Sequence, residues 1–204
     1  NRREYMADFG KTPEICNESL GMELPGYVFL DRDGVINVER GEYTTTIGQW
    51  LWASGVFDGI KLLNDAGFNI IVITNQACIA KGLQTEAGLA TLHEFMIREI
   101  RNREGDILRI YHCPHQDSDG CSCRKPSPGL ILRAAEDYGI DLSKTFMIGD
   151  SLRDMEAGRR AGTRTIFIEG GANAASGAQS GDFEYRAEDL LDAARIVIRE
   201  GQRD

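Results

Sequence analysis

The chain has 204 residues, of which 42% are hydrophobic and 27% are charged, an ordinary composition for a soluble globular protein. That length predicts one domain with a sizeable core, and no apolar run approaches the ~18 residues that a membrane-spanning helix needs. The formal net charge of -9 argues against broad binding to nucleic acid or to membrane surfaces, so an anionic ligand would need local cations or a metal ion.

Residues 1–26 are polar and mixed in composition, and we interpret them as an N-terminal extension of a domain that spans residues 27–204. The extension lacks the apolar core of a secretion signal. We therefore expect a cytoplasmic protein.

Short apolar runs alternate with amphipathic segments along the domain. The predicted strands are 27–34, 69–76, 107–113, 144–150 and 163–171. The predicted helices are 55–67, 85–105, 127–139, 151–162 and 187–200. A stretch of small and polar residues at 171–182 predicts a mobile loop. The alternation predicts an α/β fold, with a Rossmann-like, mainly parallel sheet and helices on both faces.

Polar side chains stand at the carboxyl ends of four predicted strands, where the chemistry of such folds collects. In chain order they are Asp31 and Asp33, Thr74 and Asn75, Arg124 and Lys125, and Asp150 with Asp154 one turn further on. Any one of these acids alone is more often a turn or helix-capping residue. The functional interpretation therefore depends on their occurrence at successive strand ends.

Carboxylates grouped this closely need a compensating cation, because two unit charges about 4 Å apart repel by about 4 kcal/mol at an effective dielectric constant of about 20. Oxygen ligands of this kind favour Mg²⁺, which binds through one or two carboxylates plus a substrate phosphate. A lysine and a threonine hydroxyl beside the metal suit a transferring phosphoryl group. One aspartate can attack phosphorus, while a second protonates the leaving oxygen, a role that requires a raised pKa.

Four motifs in chain order resemble those of the haloacid dehalogenase-like phosphohydrolases. They read FLDRDGVIN, VITNQ, RKP and MIGDSLRDMEAG, and the similarity covers about residues 27–170. The resemblance implies that Asp31 is the nucleophile and that Asp33 is the general acid/base. It also implies that Thr74 and Lys125 hold the phosphoryl group.

The same resemblance implies a metal ion and contacts to the substrate. Its Mg²⁺ ligands are expected to be Asp31, the Asp33 carbonyl and Asp150. Residues expected to recognise the substrate are Arg32, Asn75, Gln76 and Arg124. Glu39 and Glu42, in the loop ERGE, either contact a sugar or belong to a solvated turn. No large cap domain is expected, because the insertions after the first two motifs are short.

The stretch CPHQDSDGCSCRKP places three cysteines and a histidine within residues 113–123. A disulfide would close a very short, strained ring in a reducing compartment, and unpaired buried thiols are a second possibility. The third possibility is a closed tetrahedral zinc site formed by Cys113, His115, Cys121 and Cys123. The resemblance favours zinc, since one subgroup of the family has a zinc loop here. With four protein ligands the zinc would be structural and would hold Arg124 and Lys125 toward the substrate.

Two stretches concern the choice of substrate. INVERGEY and TNQACIAKG look closer to family members that act on D-glycero-D-manno-heptose 1,7-bisphosphate than to those that act on histidinol phosphate. The second stretch departs from the pattern Gln-Ser-Gly-Ile-Ala-Arg-Gly at Ala77 and Cys78. Because this loop is expected to face the substrate, the departure concerns substrate identity.

The predicted function is therefore Mg²⁺-dependent removal of the 7-phosphate from a heptose bisphosphate by a monomer, with histidinol phosphate as the alternative substrate. A phosphate-binding module without activity is a different class, as is a phosphotransferase or phosphomutase. The presence of all the catalytic acids argues against the first, and the lack of a large cap argues against the second. Of the remaining polar residues, Cys78 is expected to pack, His93 to lie on the surface and His112 to be structural.

Overall fold

A computed structural model of the protein describes residues 26–169 and 181–201. The extension predicted at 1–26 lies outside them except for Gly26, and most of the loop predicted at 171–182 also lies outside them. Within the described residues, no helix combines the length and the apolar character that crossing a membrane requires.

The described residues form one sheet and five α-helices. The strands are β1 Gly26–Leu30, β2 Phe68–Asn75, β3 Arg109–Cys113, β4 Phe146–Gly149, β5 Arg164–Ile168 and β6 Tyr185–Ala187. The helices are α1 Val56–Asp65, α2 Glu86–Arg101, α3 Gly129–Tyr138, α4 Leu152–Ala161 and α5 Leu190–Gly201. Short 3-10 helices lie at Ile47–Gln49, Asp117–Asp119 and Leu142–Lys144. The predicted α/β fold is confirmed.

The strand order is β3-β2-β1-β4-β5-β6, and every neighbouring pair is parallel. Chain order reverses direction at β1, which lies between β2 and β4. In open parallel sheets, ligands bind outside the carboxyl ends of the strands at such a switch point. The residues that follow β1, β2 and β4 are therefore brought to one place.

Helices cover both faces of the sheet, as predicted. On one face Val28 and Leu30 of β1 pack in a cluster with residues of α1, α2 and α5. On the other face Phe29 packs with residues of α3 and α4. Successive strand residues point to opposite faces, so a continuous apolar run is buried from both sides.

The structure departs from the predicted elements near its C-terminal end. Strand β6 was not predicted, because its three residues carry no apolar alternation and lie at the edge of the sheet. The helix predicted at 187–200 begins only at Leu190, because Ala187 is the last residue of β6. Between β1 and α1 the chain holds turns, one 3-10 helix and two isolated β-bridges, Asp33–Asn37 and Asn37–Trp52, and between β2 and α2 it holds turns and bends, so no cap domain is inserted in either place.

Candidate active site

The Asp31 carboxylate lies directly beyond β1 and is held against β4. Its backbone N–H donates to the Ile148 carbonyl at 2.9 Å, so the polypeptide leaves the sheet at a defined position. One carboxylate oxygen, Oδ1, accepts from the Arg32 backbone N–H at 2.6 Å and lies 2.8 Å from Lys125 Nζ. The side chain is nearly buried yet lines a cleft, as the role predicted for it requires.

Lys125 is almost completely buried, and its ammonium group contacts three oxygens. Nζ lies 2.8 Å from Asp31 Oδ1, 2.6 Å from Asp154 Oδ1 and 2.8 Å from the Ile73 carbonyl. Burial alone would lower the pKa of Lys125, but the carboxylates of Asp154 and Asp31 outweigh it and raise that pKa. The lysine is therefore a fixed cation beside Asp31, the predicted nucleophile.

Asn75 holds the backbone of that lysine. Its Nδ2 donates to the Lys125 carbonyl at 3.1 Å, and its Oδ1 accepts from the Lys125 N–H at 3.0 Å. Asn75 also lines the cleft, but both ends of its amide are occupied by the backbone. The structure therefore shows a positioning contact for a residue predicted to bind substrate.

Three carboxylates gather beside the lysine in a group that suits a divalent cation. Oxygens of Asp31, Asp150 and Asp154 all lie within 4.8 Å of one another. Asp150 Oδ2 is buried and receives no hydrogen bond. Gly34, at φ +84°, closes over it, since a Cβ there would lie 2.0 Å from that oxygen. An unpaired buried carboxylate oxygen is costly unless a cation completes it, so the residues fit a metal ion.

The titration of this group reflects the same crowding. Burial, followed by the charge of Asp154, raises the pKa of Asp150 to about 7. Burial and Asp154 also raise the pKa of Asp31 well above its usual range, although Lys125 opposes them. Asp154 has a second task, because its Oδ2 accepts from the Ser151 N–H at 3.1 Å and hydroxyl at 2.6 Å at the start of α4. It is thus both a helix-capping residue and a partner of the lysine.

Asp33, two residues after Asp31, has both carboxylate oxygens engaged. Oδ1 accepts from Arg32 Nη2 at 2.8 Å and from Asn37 Nδ2 at 2.9 Å, and Oδ2 accepts from Gln76 Nε2 at 2.9 Å. Burial would raise the pKa of Asp33, but the Arg32 guanidinium and these hydrogen bonds outweigh it and lower that pKa. The role of general acid/base was expected to require a raised pKa. Asp33 does not have one, because the buried Arg32 guanidinium faces its carboxylate.

Arg32, Gln76 and Thr74 are buried behind the cleft and do not line it. Gln76 Nε2 donates to Thr74 Oγ1 at 2.8 Å as well as to Asp33. In this arrangement Arg32 and Gln76, predicted to bind substrate, contact Asp33 instead.

The departure at Ala77 and Cys78 is directed inward. Both side chains are buried, and the Cys78 thiol donates to Gln76 Oε1 at 3.5 Å. The turn after β2 directs these two side chains into the interior, whereas Lys81 of the same loop lines the cleft. The departure from the family pattern at Ala77 and Cys78 therefore affects the surroundings of the Gln76 side chain. Cys78 is packed in the interior, as predicted.

The cleft above these residues has a volume of about 610 Å³ and a strongly charged rim. Its rim residues include Glu39, Glu42, Tyr43, Lys81, Arg124 and Arg153. Three of them, Tyr43, Lys81 and Arg153, were not predicted. Tyr43 and Lys81 stand in the two stretches that bear on substrate choice, and Lys81 Nζ donates to the Tyr43 hydroxyl at 2.9 Å. Only the folded chain shows that these two loops meet.

The cysteine loop brings its four candidate ligands together. They are Cys113, His115, Cys121 and Cys123. Their sulfur and Nδ1 atoms are separated by 3.1 to 3.6 Å in the contacts they make with one another. A tetrahedral zinc with Zn–S bonds of about 2.3 Å separates its ligands by about 3.7 Å, whereas a disulfide requires about 2.05 Å. The spacing fits a metal site, and all four cysteines of the described residues are unpaired.

The prediction for His93 is wrong. The side chain is buried, with 6% exposed, and its Nε2 lies 3.3 Å from Arg32 Nη1. Spacing on α2 could not reveal this contact, because the two residues are 61 positions apart. His112 of β3 was expected to be structural. Its Nε2 lies 3.0 Å from Oε2 of Glu86, which is on α2 like His93.

Comparison with known proteins agrees with this geometry. A HAD-hydrolase-like family model matches residues 122–193. The chain is 37% identical over 144 residues to the D-glycero-beta-D-manno-heptose-1,7-bisphosphate 7-phosphatase of Pseudomonas aeruginosa, covering 71% of this chain and 81% of that protein. It is 41% identical over 152 residues to the Escherichia coli protein of the same name, covering 70% and 79%.

A solved structure is similar to most of the chain. The D,D-heptose 1,7-bisphosphate phosphatase of B. bronchiseptica, complexed with magnesium and phosphate, superposes with a TM-score of 0.80 at 32% identity. The match covers 86% of this chain and 99% of that one.

Proposed function

The chain belongs to the haloacid dehalogenase-like phosphatases, and on that basis we propose that it removes the 7-phosphate from D-glycero-D-manno-heptose 1,7-bisphosphate. The observation that carries the proposal is the contact between Asp31 Oδ1 and Lys125 Nζ, 2.8 Å apart, beside Asp33 at the switch point of the sheet. A carboxylate nucleophile next to a fixed cation suits attack on a phosphate ester.

The reaction is proposed to proceed in two steps. An Asp31 oxygen bonds to phosphorus as the bond between phosphorus and the sugar oxygen breaks. The sugar oxygen takes a proton from Asp33. Water then attacks phosphorus, gives a proton to Asp33 and restores the Asp31 carboxylate with release of phosphate. Lys125 stabilises the phosphoryl oxygens in both steps. Asp33 is ionised before substrate binds, and the negative charge of the bound phosphate would favour its protonation.

A Mg²⁺ ion is proposed to be bound by Asp31, the Asp33 carbonyl and Asp150. Its role when bound is to neutralise charge on the phosphoryl group and the carboxylates. The unpaired Oδ2 of Asp150 supports this proposal. So does the magnesium in the B. bronchiseptica relative.

We expect Mg²⁺ to bind about tenfold more weakly at about pH 6 than at about pH 8. The pKa of Asp150 is raised to about 7, so a proton competes with the metal below that pH. For the same reason the metal-free protein gains stability as pH falls from about 7 toward the ordinary aspartate pKa of about 4, and the contribution of Asp150 is constant above about 7. Calorimetric titration with Mg²⁺ at both pH values, in buffers of different ionisation enthalpy, measures the affinity and the proton released. An affinity independent of pH would contradict the expectation.

The rim of the cleft supports a substrate with a second phosphate. Lys81, Arg124 and Arg153 line the same cleft as the catalytic lysine. Two of these cations already pair with a carboxylate of the protein. The Asp117 carboxylate contacts Arg124, and its Oδ2 lies 3.9 Å from Arg153 Nη2. A second phosphate at the far end of a sugar would meet the same charges.

We expect heptose 1,7-bisphosphate to have a higher kcat/KM than heptose 7-phosphate or histidinol phosphate. Lys81→Met should lower kcat/KM for the bisphosphate by about tenfold, with little effect on the monophosphate, because one charged contact is lost. Steady-state kinetics with the three substrates test both statements. Lys61→Met, at an exposed lysine on α1 that does not line the cleft, is the control. Equal rates on the bisphosphate and histidinol phosphate would favour the alternative substrate.

We also propose that the cysteine loop holds a structural zinc ion. The Cys123 ligand directly precedes Arg124, whose Nη1 donates to the carbonyl of another ligand, His115, at 3.2 Å. The metal would therefore hold the segment from which Arg124 and Lys125 reach the cleft. The monomeric state and the cytoplasmic location stay predictions.

A further inference from the structure

The guanidinium group of Arg32 is buried, with only 1% of the residue exposed, although it belongs to the motif that carries the nucleophile. Its Nη2 donates to Asp33 Oδ1 at 2.8 Å. Its Cζ lies over the Trp50 ring, 5.7 Å from the ring centroid. Its Nη1 lies 3.3 Å from His93 Nε2 on α2. The cation is thus held between the general acid/base and a buried imidazole.

The chemistry of this contact determines the state of His93. Arginine has donors only, so His93 Nε2 must accept, and the imidazole must be neutral with its proton on Nδ1. Burial, the Arg32 charge and His112 lower the pKa of His93 well below its usual value, in agreement with this requirement. No step proposed above uses His93.

We infer that His93 is a positioning residue, which orients the Asp33 carboxylate through Arg32 for proton transfer to the leaving oxygen. The inference rests on the proposed function, because it assigns the proton transfer to Asp33. Loss of the acceptor on His93 would leave Nη1 without that partner and allow the guanidinium to turn. Asp33 would then lose the donor that faces its Oδ1 from the interior.

Two substrates separate this role from a merely structural one. An alkyl phosphate such as the heptose bisphosphate needs a proton on its leaving oxygen, whereas the p-nitrophenolate of p-nitrophenyl phosphate leaves without one. The ratio kcat/KM reports only the steps up to formation of the aspartyl-phosphate, so the later hydrolysis step does not enter. We expect His93→Leu to lower kcat/KM for the sugar phosphate by about tenfold to a hundredfold and for the aryl phosphate by about threefold or less.

Two further variants complete the experiment. His93→Gln places an oxygen acceptor near the position of Nε2 and should restore most of the activity on the sugar phosphate. Ile100→Val removes one buried methylene from the same helix, two turns away, and controls for loss of stability.

The outcomes are distinct. Equal losses on the two substrates in His93→Leu, or no recovery in His93→Gln at an unchanged melting temperature, would overturn the inference while leaving the phosphatase function intact. Wild-type protein that releases phosphate from neither substrate would contradict the proposed function, and the inference with it.

Discussion

Asp31→Asn is expected to abolish phosphate release, with a loss of at least about 10⁴-fold in kcat on every substrate. The amide has the shape of the carboxylate but is not a nucleophile, and the bond to phosphorus cannot form. The variant should also lose the contact of a charged oxygen with Lys125 Nζ, now 2.8 Å long. Release of inorganic phosphate at saturating Mg²⁺ is the measurement.

The same variant should fold. The pKa of Asp31 is raised well above its usual value by burial and by Asp154, so the ionised side chain is unfavourable in the metal-free protein at neutral pH. A neutral amide removes that cost, and Lys125 keeps Asp154 as a partner at 2.6 Å. We therefore expect a melting temperature in the absence of metal no lower than that of the wild type.

A surface aspartate provides the control for the substitution itself. Asp106 is exposed and pairs with Arg101 at 2.8 Å, and Asp106→Asn should keep full activity. Wild-type turnover by Asp31→Asn would assign the nucleophile to another residue. A fall in activity accompanied by unfolding would instead point to a structural effect.

Cys121→Ser is expected to remove zinc and to lower both stability and activity. Structural zinc sites in small peptides bind with about 10–16 kcal/mol at neutral pH, so the loss of one thiolate should exceed the effect of an ordinary buried substitution. Elemental analysis should give about one zinc per wild-type chain and about none in the variant.

Activity should fall with the zinc because the loop carries the cations. Arg124 contacts the Asp117 carboxylate and the His115 carbonyl within the loop, and Lys125 follows it directly. Cys78→Ser, at a buried thiol outside the cluster, should retain zinc and controls for the change of sulfur to oxygen. A wild-type protein that is purified without zinc and is fully active would refute this site.

The order of apolar and polar residues along the chain was enough to predict the type of fold and the groups at its reactive edge. Alternating apolar and amphipathic segments can bury both faces of a parallel sheet in few ways, and the carboxyl ends of its strands meet at one edge. The gathering of Asp31, Lys125 and Asp150 followed from their places after strands. For the cysteine loop the residues alone left a disulfide, unpaired thiols and a zinc site open, and the resemblance to the family favoured zinc.

The directions of the neighbouring side chains could not be predicted and are seen only in the folded chain. Arg32 and Gln76 turn inward onto Asp33, and His93 is buried against Arg32 instead of lying on the surface. The Arg32–His93 and Gln76–Asp33 contacts join residues 61 and 43 positions apart, so local spacing could not reveal them. Local periodicity places a residue on an element, but the partner that a buried charge requires is supplied by packing between elements distant in sequence.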